Sequence, residues 1–239
     1  MTELLDSIRV NTGRNGSDLL VDQIKDLIIR EKLSPNYKFP GENDLCKQLG
    51  IGRSTLREAY KVLESNGFIT RTKHGTFVNN REDIISKLPF CDTMEMADIE
   101  DLMEFRSMLE AELAGLAAVR ADEKNVEKMQ FYLNEMRGHQ EDIASLTYFD
   151  VQFHMEIAAA SGNQLFYNTM VMAKDVFSKG IYNAFQCETE ENVCQALEYH
   201  QKILEAVRYK NSQAAKLYMR DHVQSVCRRV NGTNSIIQN

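Results

Sequence analysis

Proline and cysteine are both scarce in this sequence of 239 residues, and their distribution excludes several classes of protein. All three prolines lie in the first ninety residues. The five cysteines form no Cys-x-x-Cys pair and their number is odd, which argues against a disulfide framework and favours a reducing compartment. No apolar run approaches the roughly 18 residues that a membrane span requires. Residues 1–10 also lack the basic start and apolar stretch of a secretory signal. We therefore expect a cytoplasmic protein that does not enter a membrane.

Charge is unevenly distributed along the chain. The net charge is −7, and apolar residues make up 43% of the sequence, enough for a folded core. Residues 1–80 hold twelve Lys and Arg against ten Asp and Glu, a net charge of +2, whereas the remainder carries −9. Five basic residues fall between residues 53 and 73 against two acidic ones. A basic patch on a small N-terminal unit would suffice for contact with phosphates.

The pattern of prolines and apolar residues predicts two domains. Beyond Pro89 the sequence is dominated by helix formers with a period of 3.6 residues. We therefore predict a small mixed domain over residues 1–80, a linker over 81–94 and an antiparallel all-helical bundle over 95–232, in a mainly α protein. The bundle should contain six or seven helices, with approximate spans of 97–120, 123–137, 141–160, 163–185, 190–209 and 212–230.

The N-terminal domain has the element order of a winged helix-turn-helix. A first helix runs to about Arg30, a second covers about 42–49, and a third covers about 54–66. Two short strands, 68–72 and 76–78, follow and are joined by a turn at 73–75. In a helix-turn-helix the recognition helix enters the major groove of DNA with its N-terminal residues leading. Here that segment reads GRSTLREAY.

Two arginines stand at the leading end of this third helix. Arg53 and Arg57 are four residues apart and so share a face. An arginine at this position can fork onto O6 and N7 of guanine, or onto a phosphate. Ser54 and Thr55 are placed for phosphate oxygens. The spacing alone does not exclude a solvated amphipathic helix with an Arg–Glu pair.

The surrounding stretch, FPGENDLCKQLGIGRSTLREAYKVLESNGFITRTKHGTFV, closely resembles the DNA-binding domain of the GntR family of bacterial transcription regulators. The resemblance covers roughly residues 17–79. It implies DNA contacts from Arg53 and Arg57, and from a wing tip at His74 and Gly75 that reaches toward the minor groove. Where many members have an arginine this chain has Asn43, which can hydrogen-bond to DNA but cannot make the charged bidentate contact.

Four side chains of ligand type fall on apolar faces of the predicted bundle. In YFDVQFHMEIAAA, Asp150 and His154 are one helical turn apart. His200 and His222 lie in the apolar stripes of two later helices. Burying a carboxylate without a partner costs several kcal/mol, whereas a divalent metal would use all four groups as ligands. The alternative is a set of hydrogen-bonded core histidines.

Residues 95–230 also resemble the effector-binding (FCD) domain of the FadR subfamily of GntR regulators, in the order EFRSMLEAELAGLAA, FDVQFHMEIAAASGN, H-x-x-IL-x-A and A-x-x-x-M-x-x-H. The resemblance implies a divalent metal held by Asp150, His154, His200 and His222. Zinc is the expected metal, and nickel, manganese or iron would suit the same ligands. Three neutral imidazoles and one carboxylate leave a divalent ion with about one positive charge, which favours an anionic effector.

Arg106 should also face inward, because it lies on an apolar helix face. The family places such an arginine near the carboxylate of the effector, and the alternative for Arg106 is a salt bridge to Glu110, one turn away. Glu110 would then tune the pocket, while Tyr148 and Gln152 flank the Asp–His pair and would line it. These four residues complete the expected effector site.

The resemblance implies a ligand-responsive transcription regulator, most often a repressor, that binds palindromic operator DNA as a homodimer. A small organic acid or sugar acid would bind the metal and Arg106 and change operator affinity through the linker. Three alternatives stay open: the metal itself is the signal, the metal is purely structural, or the bundle is a metalloenzyme. The enzyme is disfavoured, because Glu110 and Glu156 are the only general bases near the metal site and a DNA-binding domain is fused to it. We expect no enzymatic activity.

Overall fold

The computed structural model describes residue 5, residues 16–186 and the backbone of residues 190–237, with side chains resolved from 191 to 226 in that last range. Within these ranges the chain forms two strands and eleven helices. The strands are β1 Ile69–Thr72 and β2 Gly75–Val78. The helices are α1 Gly16–Ile29, α2 Glu42–Leu49, α3 Arg53–Ser65, α4 Arg81–Ile85, α5 Phe90–Glu95, α6 Ile99–Arg120, α7 Glu123–Gly138, α8 Ile143–Ala160, α9 Gln164–Gln186, α10 Glu190–Arg208 and α11 Ser212–Ile237. The chain divides into two compact units, Met1–Met96 and Ala97–Asn239.

The first unit has the predicted winged helix-turn-helix fold. Its core is a single apolar cluster, to which α1 contributes Leu20 and Ile24, α3 contributes Leu56 and Leu63, and the strands contribute Ile69. Burial of this stripe follows from the 3.6-residue spacing of the apolar positions in α1 and α3. The predicted combination of a winged helix-turn-helix with a helical bundle is confirmed.

The wing is a two-stranded antiparallel hairpin. Ile69 pairs with Val78 and Thr72 pairs with Gly75, so the tip consists of Lys73 and His74. Gly75 has a φ of +133°, a conformation that residues with a side chain rarely adopt. Glycine therefore fixes where the hairpin turns, and both tip residues are exposed.

The segment predicted as a linker, 81–94, carries the short helices α4 and α5 and packs into the first unit. Asn80 caps α4 by accepting a hydrogen bond from the backbone N–H of Asp83. Ile84 is buried in the apolar cluster, and Leu88 and Met96 pack against its edge. Helices of five and six residues are too short to show a 3.6-residue period, which explains why the sequence pattern did not reveal them.

The second unit is the predicted bundle, and local capping sets its helix ends. Asp122 and Asn125 form a capping box at the start of α7. Gly162, at φ +64°, follows α8, and Asn163 then accepts hydrogen bonds from two backbone N–H groups at the start of α9. Since the connections between consecutive helices are short, neighbouring helices run antiparallel.

Helix α6 is the centre of the bundle, where it packs against α8, α10 and α11. Its buried face is rich in small residues, including the fully buried Ala111, Ala114, Ala117 and Ala118. Small side chains at a helix contact let the two axes approach closely. The close approach brings the longer side chains of α6 near the middle of α8. Across the described ranges no helix combines the length and apolar character needed to cross a membrane.

Candidate metal centre and nucleic-acid interface

Asp150 and His154 of α8, His200 of α10 and His222 of α11 converge inside the second unit. Their candidate ligand atoms all lie within 4.8 Å of one another, and each residue is at most 3% exposed. The Nε2 atoms of His154 and His200 are 3.2 Å apart, and Nε2 of His200 is 3.1 Å from Oδ1 of Asp150. The His222 ring lies 4.4 Å from that of His200, centroid to centroid. Residues separated by up to 72 positions are thus brought to one point.

The opposite ring nitrogens of two histidines are already used by hydrogen-bond acceptors. Nδ1 of His200 donates to the backbone carbonyl of Ala196 at 2.7 Å. Nδ1 of His154 donates to Oε2 of Glu110. Neither acceptor carries a proton of its own to donate, so Nδ1 must hold the proton in both rings. A neutral imidazole protonated at Nδ1 presents its lone pair at Nε2, which here faces the shared centre.

The groups around the shared centre therefore present lone pairs to it, and not hydrogen-bond donors. With both rings neutral, two Nε2 lone pairs and the Asp150 carboxylate point at one another across 3.1–3.2 Å, which is repulsive. Oδ2 of Asp150 is buried and makes no hydrogen bond within the described residues. Protonating both rings would instead place two imidazolium groups side by side. A divalent cation satisfies every one of these groups, so the donor set fits a metal.

Glu110 links the candidate centre to Arg106. Nε of Arg106 donates to Oε1 of Glu110 at 2.6 Å, and both side chains are 2% exposed. Burial by itself would raise the pKa of Glu110, but the charge of Arg106 and the hydrogen bonds from His154 and Arg106 outweigh it and lower the pKa to about 2. The alternative of a salt bridge between Arg106 and Glu110 is what the structure contains. The arginine also lies over the ring of Phe177, 5.5 Å from its centroid.

Asp150 stays ionised for a similar reason. Burial raises its pKa, whereas protonation of His154 and His200 in the metal-free site would supply positive charges, and a hydrogen bond from His200, that lower it to about 2. Phe153, which precedes His154 in the sequence, is fully buried. Its ring lies edge-on to that of His200, 4.8 Å between centroids. The packing holds the imidazole in place without offering it a further donor or acceptor.

Tyr148 and Gln152 are not part of this cluster, contrary to the expectation that they line its pocket. They lie two residues from Asp150, about 200° around α8, and therefore point to the other side of the helix. Tyr148 is 57% exposed. Both residues line a groove between α8 and α9, together with Lys174 and Tyr182.

The predicted DNA-contacting side chains lie at the surface of the first unit. Arg53, Ser54 and Arg57 are exposed along the start of α3, and Thr55 beside them is half-buried. At the wing, His74 is exposed and Gly75 is half-buried; Asn43 is exposed in the first turn of α2. The apolar side of α3, including Leu56 and Tyr60, is buried. The start of α3 is therefore presented outward, as a recognition helix requires.

Two charged residues that were not among the predicted DNA contacts join this surface. Glu42, the first residue of α2, accepts a hydrogen bond from Nε of Arg57 at 3.0 Å and from Nη2 of Arg71 at 2.9 Å. Arg71 lies in β1, so the carboxylate connects α2, α3 and the wing. The only available signal was the excess of basic residues between 53 and 73, which does not reveal a shared acidic partner.

Comparisons with known proteins confirm the expected family for both halves of the chain. Residues 17–78 match the family described as bacterial regulatory proteins, gntR family, and residues 101–225 match the FCD domain. A protein of Escherichia coli (strain K12) named for regulation of the L-lactate dehydrogenase operon is 32% identical over 222 residues, covering 89% of this chain and 85% of that protein. The galactonate operon transcriptional repressor of the same strain is 23% identical, covering 90% and 97%.

One solved structure supports the fold alone. It is the Lar protein, described as controlling the expression of the Listeria monocytogenes agr system, with a TM-score of 0.56 and 19% sequence identity. The match covers 92% of this chain and 98% of that one.

Proposed function

We propose a ligand-controlled transcription regulator, because this chain belongs to the gntR family of bacterial regulatory proteins and carries an FCD domain after its DNA-binding domain. Relatives across the family are operon regulators, so the chain is a transcriptional regulator and not an enzyme. Its metal, its effector, its assembly and the direction of its control belong to the proposal.

The convergence of four buried donor groups is the observation that carries the proposal. Asp150, His154, His200 and His222 would hold a divalent metal, with zinc as the first candidate and nickel, manganese or iron as others. Bound there, the metal would supply a Lewis-acidic positive centre. Glu110 and the carbonyl of Ala196 would keep the two imidazoles in the ligating tautomer.

Charge then selects the class of effector. A divalent ion with one carboxylate ligand keeps about one positive charge, whereas Arg106 and Glu110 neutralise each other. The metal is therefore the main attraction for an anion, and Arg106 adds directional hydrogen bonds once Glu110 shares it. A small organic acid or sugar acid fits this site. The names of two relatives refer to L-lactate and galactonate, which are hydroxy acids, and this supports the same class.

Control of transcription would follow from coupling between the two units. The protein would act in the cytoplasm as a homodimer on a palindromic operator, since two recognition helices require two half-sites. Acid binding would favour one arrangement of the dimer over another and so change operator affinity. Repression is the proposed direction, relieved by the acid. Because the chain up to Met96, including α4 and α5, belongs to the first unit, the change would pass through the chain at Met96–Ala97.

The test measures acid binding and DNA binding on the same protein. A thermal-shift screen of carboxylates, starting with lactate and galactonate, is run on metal-loaded and chelator-treated full-length protein. Acids that stabilise only the loaded form are then added to a complex with an operator obtained by in vitro selection. We expect such an acid to weaken operator binding.

Arg106→Lys is the matched variant for this test. Lysine keeps the positive charge that Glu110 requires but lacks the planar fork of arginine. The variant should fold and bind metal, yet bind the acid more weakly. Operator release by metal alone, with no response to any acid, would replace the proposal with metal sensing. Metal-dependent stability with no effect of metal or acid on DNA binding would reduce the site to a structural one.

A further inference from the structure

Glu42 is a carboxylate within the predicted DNA-contacting surface. It starts α2, next to the basic face of the recognition helix, and its charge would repel DNA phosphates. Its side chain is 28% exposed and contacts two arginines, Arg57 and Arg71. Hydrogen bonds to these arginines, with Arg57 contributing most, lower the pKa of Glu42, so the carboxylate stays charged.

The contact with Glu42 leaves the terminal Nη groups of Arg57 available to contact a base. Glu42 accepts from Nε of Arg57 at 3.0 Å, at the side of the guanidinium group nearest the chain. The two terminal Nη groups lie farther out on a side chain that is 62% exposed. These terminal groups form the pair that can donate side by side to O6 and N7 of guanine. The carboxylate thus fixes the plane of the guanidinium without occupying its outer edge.

The second arginine anchors the carboxylate itself. Nη2 of Arg71 donates to Oε1 of Glu42 at 2.9 Å, and the guanidinium lies 5.7 Å from the ring centre of the buried Tyr60. The backbone N–H of Arg71 donates to Glu64 of α3 at 3.3 Å. Arg71 is therefore fastened to α3 through its backbone and across Tyr60, and it holds Glu42 in a fixed position.

We infer that Glu42 is a positioning residue for sequence discrimination: it presents Arg57 to a guanine of the operator and disfavours the use of Arg57 on phosphates. On the operator, Arg57 reads the base while remaining bonded to Glu42. On other sequences, Arg57 would have to leave Glu42 to reach a phosphate. Glu42, close to the DNA, would then lose one of the two arginines that balance its negative charge. The inference depends on DNA binding and is independent of the metal and the effector.

Removing the charge of Glu42 should therefore move two affinities in opposite directions. In Glu42→Gln, operator affinity falls because Arg57 is no longer held in its reading orientation. Affinity for a scrambled duplex stays the same or rises, because Arg57 is released to contact a phosphate. A well-formed bidentate pair discriminates between bases by about 5- to 150-fold, so we expect the specificity ratio to fall by about tenfold or more.

The experiment uses full-length protein and fluorescence anisotropy with two duplexes of equal length, an operator from in vitro selection and a scrambled version. Asp44→Asn is the matched control, because Asp44 is an exposed carboxylate in the same first turn of α2. It changes the net charge equally and should leave the specificity ratio unchanged. Titrations at several salt concentrations should show the slope for the scrambled duplex steepening by about 0.9 in Glu42→Gln, the value for one added phosphate contact.

A double-mutant cycle separates positioning from a general structural role. If Glu42 acts through Arg57, adding Glu42→Gln to Arg57→Ala should change the specificity ratio no further. Equal losses of affinity for both duplexes, together with a lower melting temperature, would overturn the inference and leave Glu42 a structural ion pair. Equal effects of Glu42→Gln and Asp44→Asn on the ratio would overturn it as well.

Discussion

Replacing His200 by glutamine should abolish metal-dependent stabilisation while leaving the metal-free protein folded. His200 is chosen because its Nδ1 is hydrogen-bonded to the carbonyl of Ala196, which leaves Nε2 as the nitrogen that would bind a metal at the shared centre. Glutamine fills similar space and can donate a hydrogen bond to the Asp150 carboxylate. The change thus removes a nitrogen ligand without leaving a buried charge unpaired.

The magnitude follows from linkage between binding and folding. A ligand present at about one hundred times its dissociation constant stabilises the folded state by about 2.7 kcal/mol. In a unit of this size 1 kcal/mol moves the melting temperature by about 2–4 °C. Zinc at that level should therefore raise the melting temperature of the unmodified protein by about 5–11 °C. His200→Gln should show no more than a small part of that rise.

His139→Gln is the matched control. His139 ends α7 with a side chain that is 42% exposed, and it is not a member of the buried cluster. The assay is differential scanning fluorimetry of dialysed protein with chelator or with zinc, and competition with a chromogenic chelator gives the number of ions bound per chain. His139→Gln should keep the full shift and one ion. An equal shift in His200→Gln, or no shift in the unmodified protein, would refute the reasoning about converging lone pairs.

Three further predictions concern individual residues. Glu110→Gln should weaken metal affinity about 10- to 100-fold, because it removes the charged partner of His154. The pKa of Glu110 is lowered from its ordinary value near 4.5 to about 2, so the ionised carboxylate stabilises the folded state by about 3 kcal/mol at pH values above 4.5. This stabilisation is lost as the pH falls from about 4 to 2. Urea unfolding at pH 7, 4 and 2.5 should therefore show a flatter acid limb in Glu110→Gln; an unchanged limb would contradict the assigned charge. Arg53→Ala should lower operator affinity by about 1–3 kcal/mol with no change in melting temperature, since the side chain is exposed, and anisotropy with the operator duplex tests this. Gly50→Ala should destabilise the first unit by about 1 kcal/mol in urea unfolding, because Gly50 ends α2 at φ +66° and no atom lies near enough to clash; a neutral result would show that α2 ends without needing that conformation.

Most of the helices could be predicted because their signals are local. The 3.6-residue spacing of apolar side chains, the cap at Asn163 and the stop at Gly162 all act within a few residues, so both ends of α6 to α10 and the start of α11 were predicted within two positions. The end of α11 was not: the helix runs to Ile237, seven residues beyond the predicted end at 230. The same local logic indicated that Asp150 and His154 face inward. It also explains why Tyr148 and Gln152 lie outside the buried cluster: a step of two residues leads around the helix to the opposite face.

Other features had no local signal. The short helices α4 and α5 bury one residue each, Ile84 and Met94, and α4 is positioned by the packing of Ile84 in the apolar cluster of the first unit. Glu42 and Arg71 are 29 residues apart, and only the hairpin brings Arg71 beside the start of α2. The role of Glu110 was only partly anticipated, because its contact with His154 spans 44 positions and depends on how α6 packs against α8.

The sequence by itself determined the buried faces of the long helices and most of the positions where they end, because both depend on residues within one or two turns. That was enough to separate a DNA-binding unit from a helical one and to single out one aspartate and three histidines. Only the tertiary structure decided what those side chains do. The packing of α6 against α8 and α11 places Glu110 behind His154, assigns the proton of the ring to Nδ1 and turns the Nε2 lone pair toward Asp150 and His200. The direction of a lone pair depends on an acceptor on another helix, and no periodicity along one helix encodes it.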